Sequence, residues 1–221
     1  MGDQVMASPN NAPSSINSKK VLAVEGKDEK NFFNALLKHM NITGIDIREV
    51  GGKTQFPDKL PALVKASGFF LADGSSFVTH LAVIRDKDEG NAFKSIVNIV
   101  KKTGLIPPTK HSEFSNGKPK VGIFIMPGEA IDGTALEDLC LKTVENHKAM
   151  ACVNKYASCI LALELVPKNI PKAKVQVFKA QAFLAAQPVI VDSVGLGAQK
   201  KYWDFESPAL NELKSFLAKL K

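Results

Sequence analysis

Few cysteines, few histidines and no long apolar run characterise this chain of 221 residues. No hydrophobic stretch reaches the roughly 18 residues of a membrane span, so no transmembrane segment is expected. The three cysteines, Cys140, Cys152 and Cys159, form no C-x-x-C pair and are odd in number. That argues against a disulfide framework and suits a reducing compartment, the cytoplasm by default. Buried packing thiols are their expected role. His39, His80, His111 and His147 are scattered without metal-ligand spacing. There is no G-x-x-x-x-G-K-[ST] phosphate loop. Gly195-x-Gly197 lacks the third glycine and the strand–helix context of a dinucleotide site, and no serine has a nucleophile elbow with a partner histidine. Residues 1–18 have neither the basic start nor the apolar middle of a signal peptide. Rich in Ser, Asn, Pro and Ala, they read as a disordered leader.

What is present describes an ordinary globular protein: 45% hydrophobic and 23% charged residues, enough to bury a real core. The net charge of +7 is unevenly spread. Residues 166–221 carry nine lysines against four acids, which is +5 of that total. A basic segment beside an acidic site would suit a phosphate-backbone substrate, although dispersed surface lysines also simply aid solubility.

Apolar runs place three strands, at 20–24, 77–84 and 121–126, and alternation places another at 45–50. Between them the spacing predicts helices after residue 26, around 57–70 and after Asp88. Asn116-Gly117 gives a hairpin signal before the fourth strand. From Thr134 to about Leu165 the chain reads as helix, then again over 173–186 and 211–220, with a glycine-rich loop at Gly195 and Gly197. Strands alternating with helices predict an α/β fold with a mostly parallel sheet and helices on both faces. One domain is expected over 19–221, with a core over about 19–145 and a helical extension over about 146–221. Tyr202, Trp203 and Phe205 are expected to pack the tail onto that core rather than to stack a base.

Two of the strands end in acids. Val24-Glu25-Gly26 closes the first, and Ile84-Arg85-Asp86-Lys87-Asp88 closes the third. An unpartnered carboxylate inside a buried strand is costly, so these acids belong at strand ends. In an open α/β sheet that carboxyl edge is where ligands bind. Magnesium takes hard oxygen ligands, often one or two carboxylates plus water and substrate phosphate. Glu25, Asp86 and Asp88 are therefore candidate cation ligands, with Glu29 and Glu137 as further acids. Each has a plainer alternative. Asp86 fits a helix N-cap with Glu89 as its capping-box partner. Glu25 and Glu29 fit dipole-complementing acids of a first turn, and Glu137 fits a solvated helix acid.

In order and context these residues resemble the Toprim domain, the catalytic core shared by topoisomerases, bacterial primases and several nucleases. The sequence is most similar to the overcoming-lysogenization-defect (OLD) type nucleases. These add an acid four residues after the glutamate, as Glu29 does, and a Ser-Asp-Leu-Glu motif in a later helix. Here that segment is Thr134-Ala135-Leu136-Glu137, so only the glutamate matches at the charged positions. A later lysine of the pattern falls on Lys174 or Lys179. The stretch 195–205 with its terminal helix resembles a small stand-alone Toprim-like family of uncharacterised bacterial proteins. The resemblance implies a Rossmann-like three-layer fold of about four mostly parallel strands with a helical C-terminal extension. It implies a magnesium- or manganese-dependent nuclease. One cation would sit on Glu25, Asp86 and Asp88, and a second on Glu29 and Glu137, with Lys174 as the matching lysine. Nucleic acid is the expected partner and no membrane is. A protein partner or a homo-oligomer fits as well, and so does the alternative of a non-catalytic binding module.

Overall fold

The computed structural model describes residues 15–87, 90–163 and 170–221. It is an α/β, Rossmann-like three-layer fold. The strands are β1 (Lys20–Val24), β2 (Ile45–Glu49), β3 (His80–Asp86) and β4 (Lys120–Met126), ordered β2-β1-β3-β4 and all parallel. The helices are α1 (Lys27–His39), α2 (Phe56–Val64), α3 (Ala92–Lys102), α4 (Leu136–Thr143), α5 (Ala149–Ala162), α6 (Lys172–Ala185), α7 (Val194–Gln199) and α8 (Asn211–Ala218). None of them is long and apolar enough to cross a membrane.

The pleat sends alternate side chains to opposite faces, and each face closes its own core. Leu22, Val24, Ala82, Ile84, Phe124 and Met126 pack beneath α1 and the C-terminal helices. Val21, Ala23, Leu81, Val83, Val121, Ile123 and Ile125 pack against α2 and α3. Burial on both faces explains why these strands read as continuous apolar runs. The C-terminal extension is not appended to the domain. Its Trp203, Leu213, Phe216 and Leu217 belong to the first of these cores, and the Trp203 indole N–H donates to the Val194 carbonyl at 2.7 Å.

Several elements depart from the sequence reading. The third strand starts at His80 rather than Phe77 and runs on through Asp86, because its pairing with β4 continues to Asp86↔Met126. The expected loop at Gly195 and Gly197 is helix α7. Glycine is needed there for close approach: a Cβ on Gly195 would lie 2.2 Å from the Asp28 carbonyl oxygen of α1. The single helix expected from Thr134 is broken between Thr143 and Ala149 into α4 and α5. The leader also ends earlier than residue 18. Ile16 is 2% exposed within the α2–α3 core, its N–H donates to the Ser67 carbonyl, and the Arg48 guanidinium donates to the Ser15 carbonyl. Residues 1–14 lie outside the described residues. Ahead of β4, the polar segment doubles back as the hairpin signal implies. Phe114 bridges Gly122 in antiparallel fashion and covers the open side of this edge strand.

Candidate functional site

Strands β1 and β3 are neighbours in register, Ala23 against Val83, so their carboxyl ends emerge side by side. Glu25 is the first residue past β1, and its Oε1 accepts the Asp86 backbone N–H at 3.2 Å. The Arg85 guanidinium lies 3.5 Å from the same oxygen and rests over the Phe56 ring, 5.5 Å from its centroid. The N-cap explanation of Asp86 does not hold. Asp86 is the last residue of β3, and α3 begins six residues later, capped by Asn91, whose Oδ1 accepts the Lys94 N–H at 2.8 Å. Asp88 and Glu89 lie outside the described residues.

Helix α1 starts at Lys27, so Glu25 precedes it and does not share a helical turn with Glu29. Glu29 supplies one half of a capping box, its Oε2 accepting the Gly26 N–H at 2.9 Å. Burial raises the proton affinity of Glu29 above the usual carboxylate range, and the nearby charges of Asp28 and Glu49 add to the rise. Glu137, in the first turn of α4, behaves alike. Burial pushes it up, reinforced by Asp28 and Glu29 of α1 and by its neighbour Asp138. Glu137 is thus half-buried rather than a solvated surface acid, and the charges of Asp28 and Glu29 act on it. One turn further along α4 the buried Cys140 thiol is held well above its usual range, by burial first and then by Glu137, Asp28 and Asp86. Acids from three strand-to-helix junctions therefore lie along the one sheet edge, near enough for their charges to act on the start of α4.

Two residues that sequence reasoning passed over hold that start in place. Asp138 Oδ2 accepts the backbone N–H groups of Thr134 at 2.9 Å and Ala135 at 3.0 Å, while its Oδ1 accepts Gln176 Nε2 at 2.9 Å. Asp138 stands three residues after the N-cap Ala135, but with alanine at the cap the sequence lacks the S/T-x-x-E/Q signature that would have announced it. Gln176 carries no sequence signal either. From β3, the Lys87 N–H donates to the Thr134 carbonyl at 2.8 Å and to the Met126 carbonyl at 3.1 Å. Lys174 lies two residues before Gln176, about 200° around the helix, and is exposed. Lys179, three residues after Gln176, shares its face and is half-buried. His80 stands at the opposite, amino edge of the sheet.

Among the described residues no three His, Cys, Asp or Glu side chains gather as a group that could hold a metal ion. The acids come instead as hard-oxygen donors spread along one edge, Glu25 and Asp86 from the strand ends, Glu29 and Glu137 from the helices above. That donor chemistry fits magnesium, which keeps several waters and binds through one or two carboxylates plus substrate phosphate rather than in an all-protein cage. A divalent charge there would also offset the cost of burying the charged forms of Glu29 and Glu137 beside other acids.

Fold and site together define a parallel-sheet α/β protein whose carboxyl edge is lined with acids. The chain belongs to the family described as "Protein of unknown function (DUF3226)", which matches residues 19–221. No curated protein matches it. Among solved structures, a hypothetical protein from Pyrococcus horikoshii OT3 is similar at 14% identity and a TM-score of 0.44, over 91% of this chain and 94% of that one.

Proposed function

We propose that this chain is a Toprim-like, magnesium- or manganese-dependent phosphodiesterase that cuts nucleic acid in the cytoplasm. The observation that carries the reading is the junction of β1 and β3. There Glu25 is held on the Asp86 backbone at the carboxyl edge of the sheet, with the helix-cap explanation of Asp86 removed. The strand order β2-β1-β3-β4 and the repulsion that Glu137 feels from Glu29 support it further.

In this reading Glu25, Asp86 and Asp88 hold one cation, and Glu29 with Glu137 a second. A bound divalent cation polarises the phosphate, lowers the pKa of an attacking water and stabilises the leaving oxygen. The chain's own part is to fix its donors. The Asp86 N–H and Arg85 orient Glu25, and Asp138 sets the α4 turn that carries Glu137. Lys174 or Lys179 offsets charge building on the phosphate. The lysine-rich C-terminal quarter attracts the nucleic-acid backbone.

The test is manganese-dependent cleavage of single- and double-stranded DNA and RNA, wild type beside Glu25→Ala, Asp86→Ala, Lys174→Ala and Lys179→Ala. Wild type should cut, and the two carboxylate variants should lose on the order of 100-fold or more. An inert wild type, or carboxylate variants that cut equally well, would sink the proposal. A second reading, a non-catalytic nucleic-acid- or protein-binding module, is favoured by Thr134-Ala135 standing where the nuclease motif has Ser-Asp. It expects salt-dependent binding without turnover.

A further inference from the structure

Beyond the acid edge, where β3 and β4 end, a cleft of about 480 Å³ opens among Lys87, Asn91, Phe93, His111, Glu129 and Ile131. It adjoins the acids directly: Lys87 follows Asp86 in the chain, and its backbone is tied to both β4 and the loop leading into α4. The imidazole within it is held on both sides. His111 Nε2 accepts the Ile125 N–H at 2.8 Å, so the ring proton sits on Nδ1, which faces Glu212 Oε1 at 3.3 Å. Glu212 also accepts the Glu129 N–H at 2.9 Å, fixing the rim.

We infer that this cleft receives one unpaired base of the substrate, making the chain selective for single-stranded over duplex nucleic acid; the inference rests on the phosphodiesterase reading of the acid edge. Its volume falls in the low part of the roughly 300–1,000 Å³ range of small-molecule pockets, room enough for one nucleotide. Its lining is mixed, with Phe93, Ile125 and Ile131 offering apolar and aromatic surface and Asn91 and Glu129 offering polar groups. Aromatic surface takes the face of any base, and polar groups meet its edges. The charges orient the ligand. Exposed Lys87 at the boundary with the acid edge attracts a backbone phosphate, whereas the Glu129 carboxylate, 83% exposed, repels one. The phosphate therefore stays toward the acid edge and the base enters the cleft. A base still stacked and paired in a duplex is not available to enter.

The test is fluorescence anisotropy with a short fluorescein-labelled DNA strand of mixed sequence, alone or annealed to its complement, in calcium to hold off cleavage. Wild type should bind the single strand at least about tenfold more tightly than the duplex. Phe93→Leu keeps an apolar side chain against the core but removes the stacking ring. It should weaken single-strand binding roughly 5- to 100-fold and leave duplex binding unchanged. Ile131→Trp, which fills the cleft from another side, should give the same selective loss. Thermal unfolding confirms that each variant is folded, and a variant that fails to fold leaves the other to decide. Duplex binding as tight as single-strand binding, or a folded variant that shifts both affinities equally or neither, overturns the inference. Selective single-strand binding without any cleavage would instead overturn the phosphodiesterase reading and leave the cleft standing.

Discussion

Asp138 offers the sharpest test of how the site is built. Its buried carboxylate accepts three hydrogen bonds, two from the backbone at the start of α4 and one from Gln176 of α6. Hydrogen bonds to a charged group contribute about 1.5–3 kcal/mol each. Asp138→Ala removes all three. The losses are not independent, however, and the Thr134 and Ala135 N–H groups, being part-buried, regain some water. The expected cost is about 3 kcal/mol, which for a chain of this length lowers Tm by about 6–12 °C. Asp138→Asn behaves differently. Its amide oxygen still takes the two backbone donors, and its NH₂ meets Gln176, which accepts once its own amide turns over. Three bonds survive, and the loss reduces to charge assistance and the dipole term, about 1 kcal/mol. Thermal unfolding followed by circular dichroism separates the two variants. An alanine variant within about 0.5 kcal/mol of wild type, or an asparagine variant as damaging as alanine, would refute this account.

Two further outcomes follow from the same geometry. Glu137 has a folded-state proton affinity raised above its ordinary value of 4.5. Its favourable contribution to folding is therefore full below about pH 4.5 and is lost as pH rises through the raised folded value. Glu137→Gln should accordingly be more stable than wild type at about pH 7, with the gap closing on acidification; a gap in Tm that does not change with pH would refute the assignment. Gly195→Ala places a methyl group 2.2 Å from the Asp28 carbonyl oxygen and 2.4 Å from its Oδ1. Forcing α7 off α1 should cost about 3 kcal/mol in urea unfolding, and an unchanged midpoint would show that the helices part freely.

The sheet was legible because β1, β3 and β4 are buried on both faces and read as apolar runs, while the half-buried β2 shows as alternation. Its acid-tipped edge followed from the cost of burying charge. Asp86 shows where sequence stops deciding. An acid three residues before Glu89 satisfies both a helix cap and a strand end, and only the strand pairing, continued to Met126, separates them. Gly195 was misread for a related reason. Sequence shows a glycine but not the neighbour 167 positions earlier whose carboxylate takes its N–H. Gln176 was invisible because a neutral amide announces no chemistry until its partner is in place.

Ile16 carries a practical consequence. The family match begins at residue 19, yet the α2–α3 core is closed by a side chain three positions earlier. A fragment cut at the family boundary would retain every strand, helix and site acid and still be uncorked. Losing the isoleucine alone would cost about 2–5 kcal/mol by analogy with core truncations, and the Arg48 and Ser67 tethers would go with it. Expression trials that start at residue 15 or earlier keep the stopper in, and an inactive shorter fragment would report on its missing plug before it reported on chemistry.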